Sequence, residues 1–581
     1  MAEWVISTNL ARCRDCYRCV RTCPVKAVRV QHGQAQIVAE LCIACASCVR
    51  VCPQEAKAVR DDRPAVLQAI AKGRTVVASV APSAPAYFGM TVFSQIEEAL
   101  QALGFTAAGE TAFGAEMVGQ AHRSLLDQAP AHQPVIASAC PVVVNLVERY
   151  YPDLIPHLAP LVSPMVAHGR WLHRVYGPDS MVVFIGPCIA KKAEALDTAV
   201  EGAVDAVLTF SELAEWLHEE AVDVAFDQQP PTQTVPRSHA RLFPVEGGLV
   251  GTADLETDLL TSHVVTASGI EACEDVLRGI RSGLLSASLV ELMACEGGCI
   301  NGPAMDELGE WGAEGRDHST YVARQRVIEY ATRRQPQSLP TCADWPELQR
   351  TYGNRHVAVP TFSDEQIEEV LRRVDKYTPE DELNCGACGY ATCREKAVAT
   401  LRGMAEATMC MPYMRRRAES LRQVVMDVTP NAIVILDTRL YIQDMSPSAE
   451  RLLDCHLSHV VGRPFQSIVP AIDLFAQVRD TGEPVVNQRV RLRPDLVVEE
   501  TIVPVEGQSL LVGILRDITE RERNRAELDL IRTETVARTQ EVIQNQMRVA
   551  HEIAQLLGET TAETKVMLDK LARLVEEGKA T

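Results

Sequence analysis

Sixteen of the nineteen cysteines fall into three spaced sets, and the spacing within them is that of thiolates that hold metal. Cys13, Cys16, Cys19 and Cys23-Pro24 form a C-x2-C-x2-C-x3-C-P run, repeated as Cys42, Cys45, Cys48 and Cys52-Pro53. In such a doubled run the fourth cysteine of one half completes the cluster of the other. One [4Fe–4S] cluster is therefore expected on Cys13, Cys16, Cys19 and Cys52, and a second on Cys42, Cys45, Cys48 and Cys23, with zinc as the alternative ion for C-x2-C pairs. Cys385, Cys388, Cys393 and Cys410, spaced C-x2-C-x4-C with a last cysteine beyond a helical stretch, offer four thiolates to one further site. An iron–sulfur cluster of the [4Fe–4S] type is expected there, zinc again being the alternative. The last set is scattered: Cys140 in ASACP, Cys188 in GPCIAKKAE, and Cys295 with Cys299 in ELMACEGGCING. Cys273, Cys342 and Cys455 fit no set and are expected to be buried free thiols.

These residues need a large scaffold. At 581 residues the chain exceeds what one core serves, and about 150 residues per domain gives roughly four domains. Its 47% hydrophobic and 23% charged residues are ordinary for a globular protein. No apolar run approaches the roughly 20 residues of a membrane span, and the N-terminal MAEWVISTNLARCRDC lacks a secretory pattern, so a cytoplasmic protein without a membrane partner is expected. A net charge of -20 argues against nucleic acid, despite the basic cluster at 415–417. From Arg74 to Leu348, short apolar runs such as TVVASVAP, PVIASAC and MVVFIGPC alternate with amphipathic stretches such as SQIEEALQALG, the rhythm of an α/β domain with buried parallel strands. Cys140 and Cys188 each close such a strand. LVELMA, before Cys295, reads as helical and runs into a glycine-rich turn.

After Arg417 cysteines almost stop. Pro430, Ile433, Asp437, Ile442, Ala449, Gly462 and the exit DITE at 517–520 resemble the pattern of a PAS domain, with Ser446 where that family commonly has asparagine. From Arg521, apolar residues at mixed three- and four-residue steps (Leu530, Val536, Ile543, Met547, Ala550, Ile553, Leu557) argue for a long amphipathic helix broken near Gly558, suited to dimerisation. His551 has too little chain after it for a kinase ATP-binding domain and reads as a solvated helical histidine.

The three scattered segments, in order, resemble the signature segments of the [FeFe] hydrogenase catalytic (H-cluster) domain, and the resemblance covers roughly residues 1–350 with the ferredoxin-like start. It implies that Cys140, Cys188, Cys295 and Cys299 ligate a cubane, Cys299 also bridging to a diiron subcluster with carbonyl, cyanide and a bridging dithiolate. It further implies that Lys191 donates to one cyanide, that Pro82 and Ser83 of APSA lie beside the other, and that Met293 packs near the diiron pair; Glu194 and Glu291 match family carboxylates, Glu194 as a structural partner. Ala139 stands where catalytic members carry a second cysteine that moves protons, and a methyl has neither donor nor acceptor. Gly186 replaces a methionine, Pro303 interrupts the usual glycine run, and His122 and Gln120 lie where acids are expected. Losing general acid–base help costs about 10²–10⁴ in rate, so slow turnover is expected.

The whole arrangement resembles the sensory type of [FeFe] hydrogenase. The fold class expected is multidomain α+β and α/β: a ferredoxin-like two-cluster domain over 1–62, an α/β H-cluster domain over 74–350, a small helical iron–sulfur domain over 364–414, a PAS domain over 419–520 and a coiled amphipathic helical signalling segment over 521–581. The resemblance implies hydrogen and protons as substrates, ferredoxin as redox partner, maturation proteins that install the diiron group, a homodimer, and a kinase, phosphatase or regulator as signalling partner. Its rivals are a working ferredoxin-linked hydrogenase and an iron–sulfur assembly scaffold without diiron.

Overall fold

A computed structural model describes residues 4–128, 133–222, 239–255, 263–305, 319–332, 345–505, 509–557 and 562–577. The chain forms two compact units, Met1–Met414 and Arg415–Thr581.

The doubled cysteine run folds as a doubled structure. Strand Ile6–Thr8 pairs antiparallel with Lys57–Val59, hairpin strands Val28–Gln31 and Gln34–Ile37 pair beside them, and each half contributes a short helix, Arg18–Thr22 and Ser47–Arg50. Left-handed backbone recurs at matching places: Asp15 with Ala44 (φ 54 and 61), Tyr17 with Ala46 (55 and 61), Lys26 with Glu55 (51 and 47). Side chains adopt this region at a cost. Its repetition shows that the cysteine loops need that curl in both halves.

The next segment is an α/β domain built on two parallel sheets. One has the order Ala107–Glu110, Val76–Val80, Met181–Gly186, Ala206–Thr209, and every residue of its last three strands is buried. The other has the order Val264–Ser268, Leu289–Met293, Val135–Ile136. Here the sequence reading of LVELMA fails: Leu289–Met293 is the central strand of that sheet, and all five residues are buried. An apolar run of this length, covered on both faces, carries no alternation that would separate strand from helix, and pairing on both edges decides for strand. Both sheets end their strands toward the scattered cysteines. The Val135–Ile136 strand leads through Ala137–Ala139 to Cys140, which precedes helix Pro141–Tyr150, and Met181–Gly186 leads to Cys188 before helix Ala190–Ala195.

The four-cysteine segment holds helices Asp364–Arg372 and Cys393–Leu401, and Thr392 caps the second by accepting from the Glu395 N–H. Helix Met411–Val428 begins at the residue after Cys410.

In the second unit a five-stranded antiparallel sheet runs in the order Ile442–Met445, Ala432–Asp437, Leu510–Asp517, Leu496–Pro504, Val485–Arg493, and in the chain helices Pro447–Leu453, Leu457–Val460 and Asp473–Thr481 lie between strands Ile442–Met445 and Val485–Arg493. Ser446 does the work expected of the family's asparagine. Its buried hydroxyl accepts from the Ile433 N–H (2.9 Å) and from the Ala449 N–H (3.2 Å), tying strand to helix. Helices Thr519–Leu557 and Ala562–Glu577 follow, with Gly558 outside the described residues between them; His551 is exposed on the first. Among the described residues no helix is long and apolar enough to cross a membrane.

Candidate metal centres

The structure brings the doubled run together with its fourth ligands exchanged. Burial raises the Cys19 thiol, Lys57 opposes, and Cys16, Cys13 and Cys52 raise it further. Burial likewise raises Cys48, whose thiol neighbours are Cys42, Cys45 and Cys23, again with Lys57 opposing. Cys23 is pushed up to about 12, by burial first. Backbone N–H groups already point at sulfur: Ala27 at Cys23 (3.2 Å), Ala44 at Cys42 (3.4 Å) and Ala56 at Cys52 (3.3 Å). Buried thiols such as Cys19, Cys23, Cys42 and Cys48 resist ionisation unless a cationic group compensates them. The residues therefore fit a cationic iron–sulfur group in each set.

Cys385, Cys388, Cys393 and Cys410 border one cavity together with Lys376, Tyr390 and Lys396. Among the described residues no three His, Cys, Asp or Glu side chains close around a single point; these thiols are spread around a shared space instead.

The scattered set also converges. A cavity of about 90 Å³ is lined by Cys140, Cys188 and Cys299, and Cys295 stands behind it with Cys188, Cys299 and Cys140 as thiol neighbours that, after burial, raise its thiol. Cys188 is pushed up to about 11 by burial, then by Cys140, with Lys191 opposing. Pro82, Ser83, Ala139, Lys191, Glu291 and Met293 line the same cavity. Ser83 is fully buried and its hydroxyl has no protein partner, an arrangement costly unless an acceptor enters the cavity. Pocket residues thus fit the group the sequence implies, since thiols, an ammonium and an unpaired hydroxyl line one cavity.

Charges behind the cavity fix Lys191. Its Nζ donates to Glu194 Oε2 (2.7 Å) and to the Ala139 carbonyl (3.4 Å). Glu194 is held by Arg350 (3.3 Å), Arg350 by Asp197 (3.0 Å), and Asp197 by Arg355 (2.6 Å), a chain reaching the surface. The neighbouring Lys192 turns away, donating to the Val207 carbonyl (2.6 Å) and pairing with Glu212 (3.0 Å). Glu291 accepts from the Leu249 and Val250 N–H groups (3.1 and 3.3 Å), and burial still raises its carboxyl to about 7.

The departures from the family pattern acquire reasons or lose their role. A Cβ at Gly186 would lie 2.7 Å from the Phe184 ring, which itself lines the cavity, so Phe184 occupies the space that a larger residue would take. His122 is buried with Nδ1 on the Val118 carbonyl (2.8 Å), burial lowers it to about 4, and it does not line the cavity; Gln120 is exposed. Cys273 is fully buried and its Sγ donates to the Met293 carbonyl (3.4 Å), and Cys455 is half-buried against Met445 (3.8 Å). Cys342 lies outside the described residues. Sequence reasoning missed Arg350, which carries no motif. It also missed Thr111, a cavity residue whose hydroxyl bonds Ser79 (2.8 Å), itself bonded to His168 Nδ1 (2.8 Å).

Comparison with known proteins gives matches to four families. Residues 74–303 match the iron only hydrogenase large subunit, C-terminal domain; residues 5–53 match the 4Fe-4S dicluster domain; residues 381–412 match an Fe-S cluster family; residues 426–523 match the PAS fold. The chain is 28% identical over 361 residues to the periplasmic [Fe] hydrogenase large subunit of Nitratidesulfovibrio vulgaris, covering 51% of this chain and 85% of the relative. It is 27% identical over 283 residues to iron hydrogenase 1 of Clostridium pasteurianum, covering 39% of this chain and 49% of that relative. It is also 32% identical over 115 residues to the cytosolic Fe-S cluster assembly factor NAR1 of Kluyveromyces lactis, covering 19% of this chain and 24% of the relative. A solved [FeFe]-hydrogenase HydA1 variant from Chlamydomonas reinhardtii aligns at 20% identity and TM-score 0.35, covering 50% of this chain and 92% of that one.

Fold and site define a multidomain iron–sulfur protein built around an iron-only hydrogenase large-subunit domain. The chain is a [FeFe] hydrogenase-like protein that also carries a PAS domain.

Proposed function

We propose that this protein is a hydrogen sensor: it binds and slowly splits hydrogen at an H-cluster in the Cys140–Cys299 cavity and passes the resulting redox state through its iron–sulfur centres to the PAS unit. The observation that carries the reading is the cavity itself, lined by three thiols, a pinned ammonium and an unpaired hydroxyl, with the half-buried methyl of Ala139 bordering the space. When bound, the diiron group would supply the iron chemistry that splits hydrogen. The chain's own residues position and restrict. Lys191, oriented by Glu194, would be a charge-assisted donor to an anionic ligand of that group, and the unpartnered Ser83 hydroxyl would be a second donor. Phe184 and Met293 keep the space apolar. Ala139 offers a departing proton no acceptor, which slows turnover without weakening hydrogen binding.

The cofactor set in this reading is two [4Fe–4S] clusters in the ferredoxin-like segment, the H-cluster, and one further [4Fe–4S] cluster on Cys385, Cys388, Cys393 and Cys410. Maturation proteins install the diiron group, ferredoxin exchanges electrons, and the protein works in the cytoplasm as a homodimer. Exposed Leu528, Ile531, Val542, Val549 and Ile553 on the long helix support a second copy as the dimer partner, and a kinase, phosphatase or regulator would receive the signal.

Similarity to NAR1 supports a second reading, a scaffold that keeps cubanes but no diiron. Infrared spectroscopy of anaerobically matured protein separates the readings. Carbonyl and cyanide bands that shift under hydrogen, with feeble turnover, are expected of the sensor. Fast turnover would make it a working hydrogenase, and absence of the bands after competent maturation would leave the scaffold.

A further inference from the structure

The four-cysteine segment is docked on the ferredoxin-like segment, not set apart from it. Arg21 donates to the Ala387 carbonyl (3.0 Å) and to the Cys16 carbonyl (3.1 Å), joining one loop from each cysteine set. The Val30 N–H donates to the Met404 carbonyl (2.9 Å) and the His32 N–H to Glu406 (2.5 Å). Gly389, at φ +93, comes so close that a Cβ there would lie 2.8 Å from the Val20 side chain and 3.0 Å from the Arg21 nitrogen. Burial first, then Cys388 and Cys23 as neighbouring thiols, raises the Tyr390 phenol, which is 5% exposed and whose hydroxyl has no protein partner. Such contact leaves a short through-protein distance between the two kinds of centre.

Charge differs between them. Lys376 and Lys396, each 5% exposed, line the single cavity of Cys385, Cys388, Cys393 and Cys410, and no carboxylate lines it among the described residues. Their ammonium groups donate only to backbone carbonyls, Lys396 to Ala407 (3.2 Å) and Lys376 to Asp381. The two ferredoxin-like sets, by contrast, share Lys57, which donates to Thr8 (2.7 Å) and to the Ala35 carbonyl (3.2 Å), with Arg149 near Cys42. A buried positive charge favours the reduced, more negative state of an iron–sulfur group and raises its reduction potential.

We infer that the Cys385–Cys410 centre is the electron-collecting end of this chain: Tyr390 and Arg21 seat it against the ferredoxin-like centres, and Lys376 with Lys396 hold its midpoint potential above theirs. Electron balance is one for one. One-electron reduction at the Cys385–Cys410 site is matched by one-electron oxidation of a ferredoxin-like centre in the same chain, with no bond made or broken. Charge then comes to rest beside Cys410, the residue immediately before helix Met411–Val428. The inference rests on the proposed presence of an iron–sulfur group at this site.

The test needs no diiron group. Full-length protein with its iron–sulfur centres reconstituted is titrated potentiometrically and followed by electron paramagnetic resonance, with Cys388→Ser assigning the signal of interest. That signal is expected first as the potential falls. Lys396→Met should move it to lower potential, Lys396→Arg should restore it, and the ferredoxin-like signals should stay in place. Should Lys396→Met lose iron, Lys376→Met is read for the same downward shift. The inference is overturned by a signal that appears last, or by one that does not move when its lysines lose their charge. Zinc or no metal at this site in the unaltered protein would overturn both the inference and the reading of the site, whereas correct iron content with the wrong order sinks the inference alone.

Discussion

Replacing Ala139 with cysteine should restore a proton acceptor where the cavity lacks one. Ala139 lines the cavity assigned to the diiron group, so the added sulfur would border that group, and its crowding is bounded by the ~1–3 kcal/mol that overpacking a core costs. The Lys191 contact at this position is to the Ala139 carbonyl and survives a side-chain change. Glu291 lines the same cavity with its carboxyl near 7, so above that pH it is an ionised base able to take a proton onward. A positioned acid–base group contributes about 10²–10⁴ in rate, or about 2.7–5.4 kcal/mol of barrier at 1.36 kcal/mol per tenfold. Because His122 and Gln120 do not line the cavity, the gain expected for Ala139→Cys is at the lower end, about 100-fold, and larger above pH 7 than below it. Dye-coupled hydrogen oxidation measures it, with infrared band intensity confirming equal diiron content. Unchanged turnover in a variant with equal bands, at a pH where Glu291 is ionised, would refute the argument that a missing relay limits the rate.

Cys23→Ser should remove the iron centre of Cys42, Cys45 and Cys48 and spare that of its own run, a pattern read by iron content and paramagnetic resonance; loss of the Cys13 centre instead would contradict the exchange of ligands. Arg350→Met leaves buried Glu194 and Asp197 short of a cation and should destabilise the first unit by roughly 3–5 kcal/mol, seen as a lower thermal midpoint; Lys191 should also lose orientation, broadening the cyanide bands of matured protein. In the second unit, burial raises the Glu500 carboxyl to about 7, and the side chain is 1% exposed. A carboxyl raised on folding costs stability as pH climbs from its ordinary value of 4.5 to about 7, since the unfolded chain ionises first. Glu500→Gln should therefore raise the melting temperature of that unit above pH 7, by at most ~3 kcal/mol in stability, and change little below pH 4.5; an equal effect at both ends would exclude the titration.

Cysteine spacing made much of this protein legible before any fold was considered. The doubled cysteine run, the Cys385–Cys410 set, the PAS pattern and the alternation of strands and helices over 74–350 are local regularities, in which neighbouring residues must share one loop, face or turn, whereas Cys140, Cys188, Cys295 and Cys299 were grouped only by the family resemblance. Even the exchange of Cys23 and Cys52 could be read, because a repeat with matched spacing has an internal symmetry that its fold preserves. Other features depend on partners far apart in sequence. LVELMA is a strand because Val264–Ser268 and Val135–Ile136 pair with both its edges. The family motif singled out Lys191, but the structure shows what separates it from Lys192: Glu194 holds one at the cavity while Glu212 and the Val207 carbonyl draw the other away. Arg350 reaches Glu194 from more than a hundred residues downstream, and Arg21 ties the first cysteine run to Ala387. Sequence thus determined which atoms can bind metal, since ligand chemistry lies in residue type and spacing. Tertiary structure decided which charges lie beside each centre, because a buried ion's partner is chosen by packing between segments that no local pattern connects.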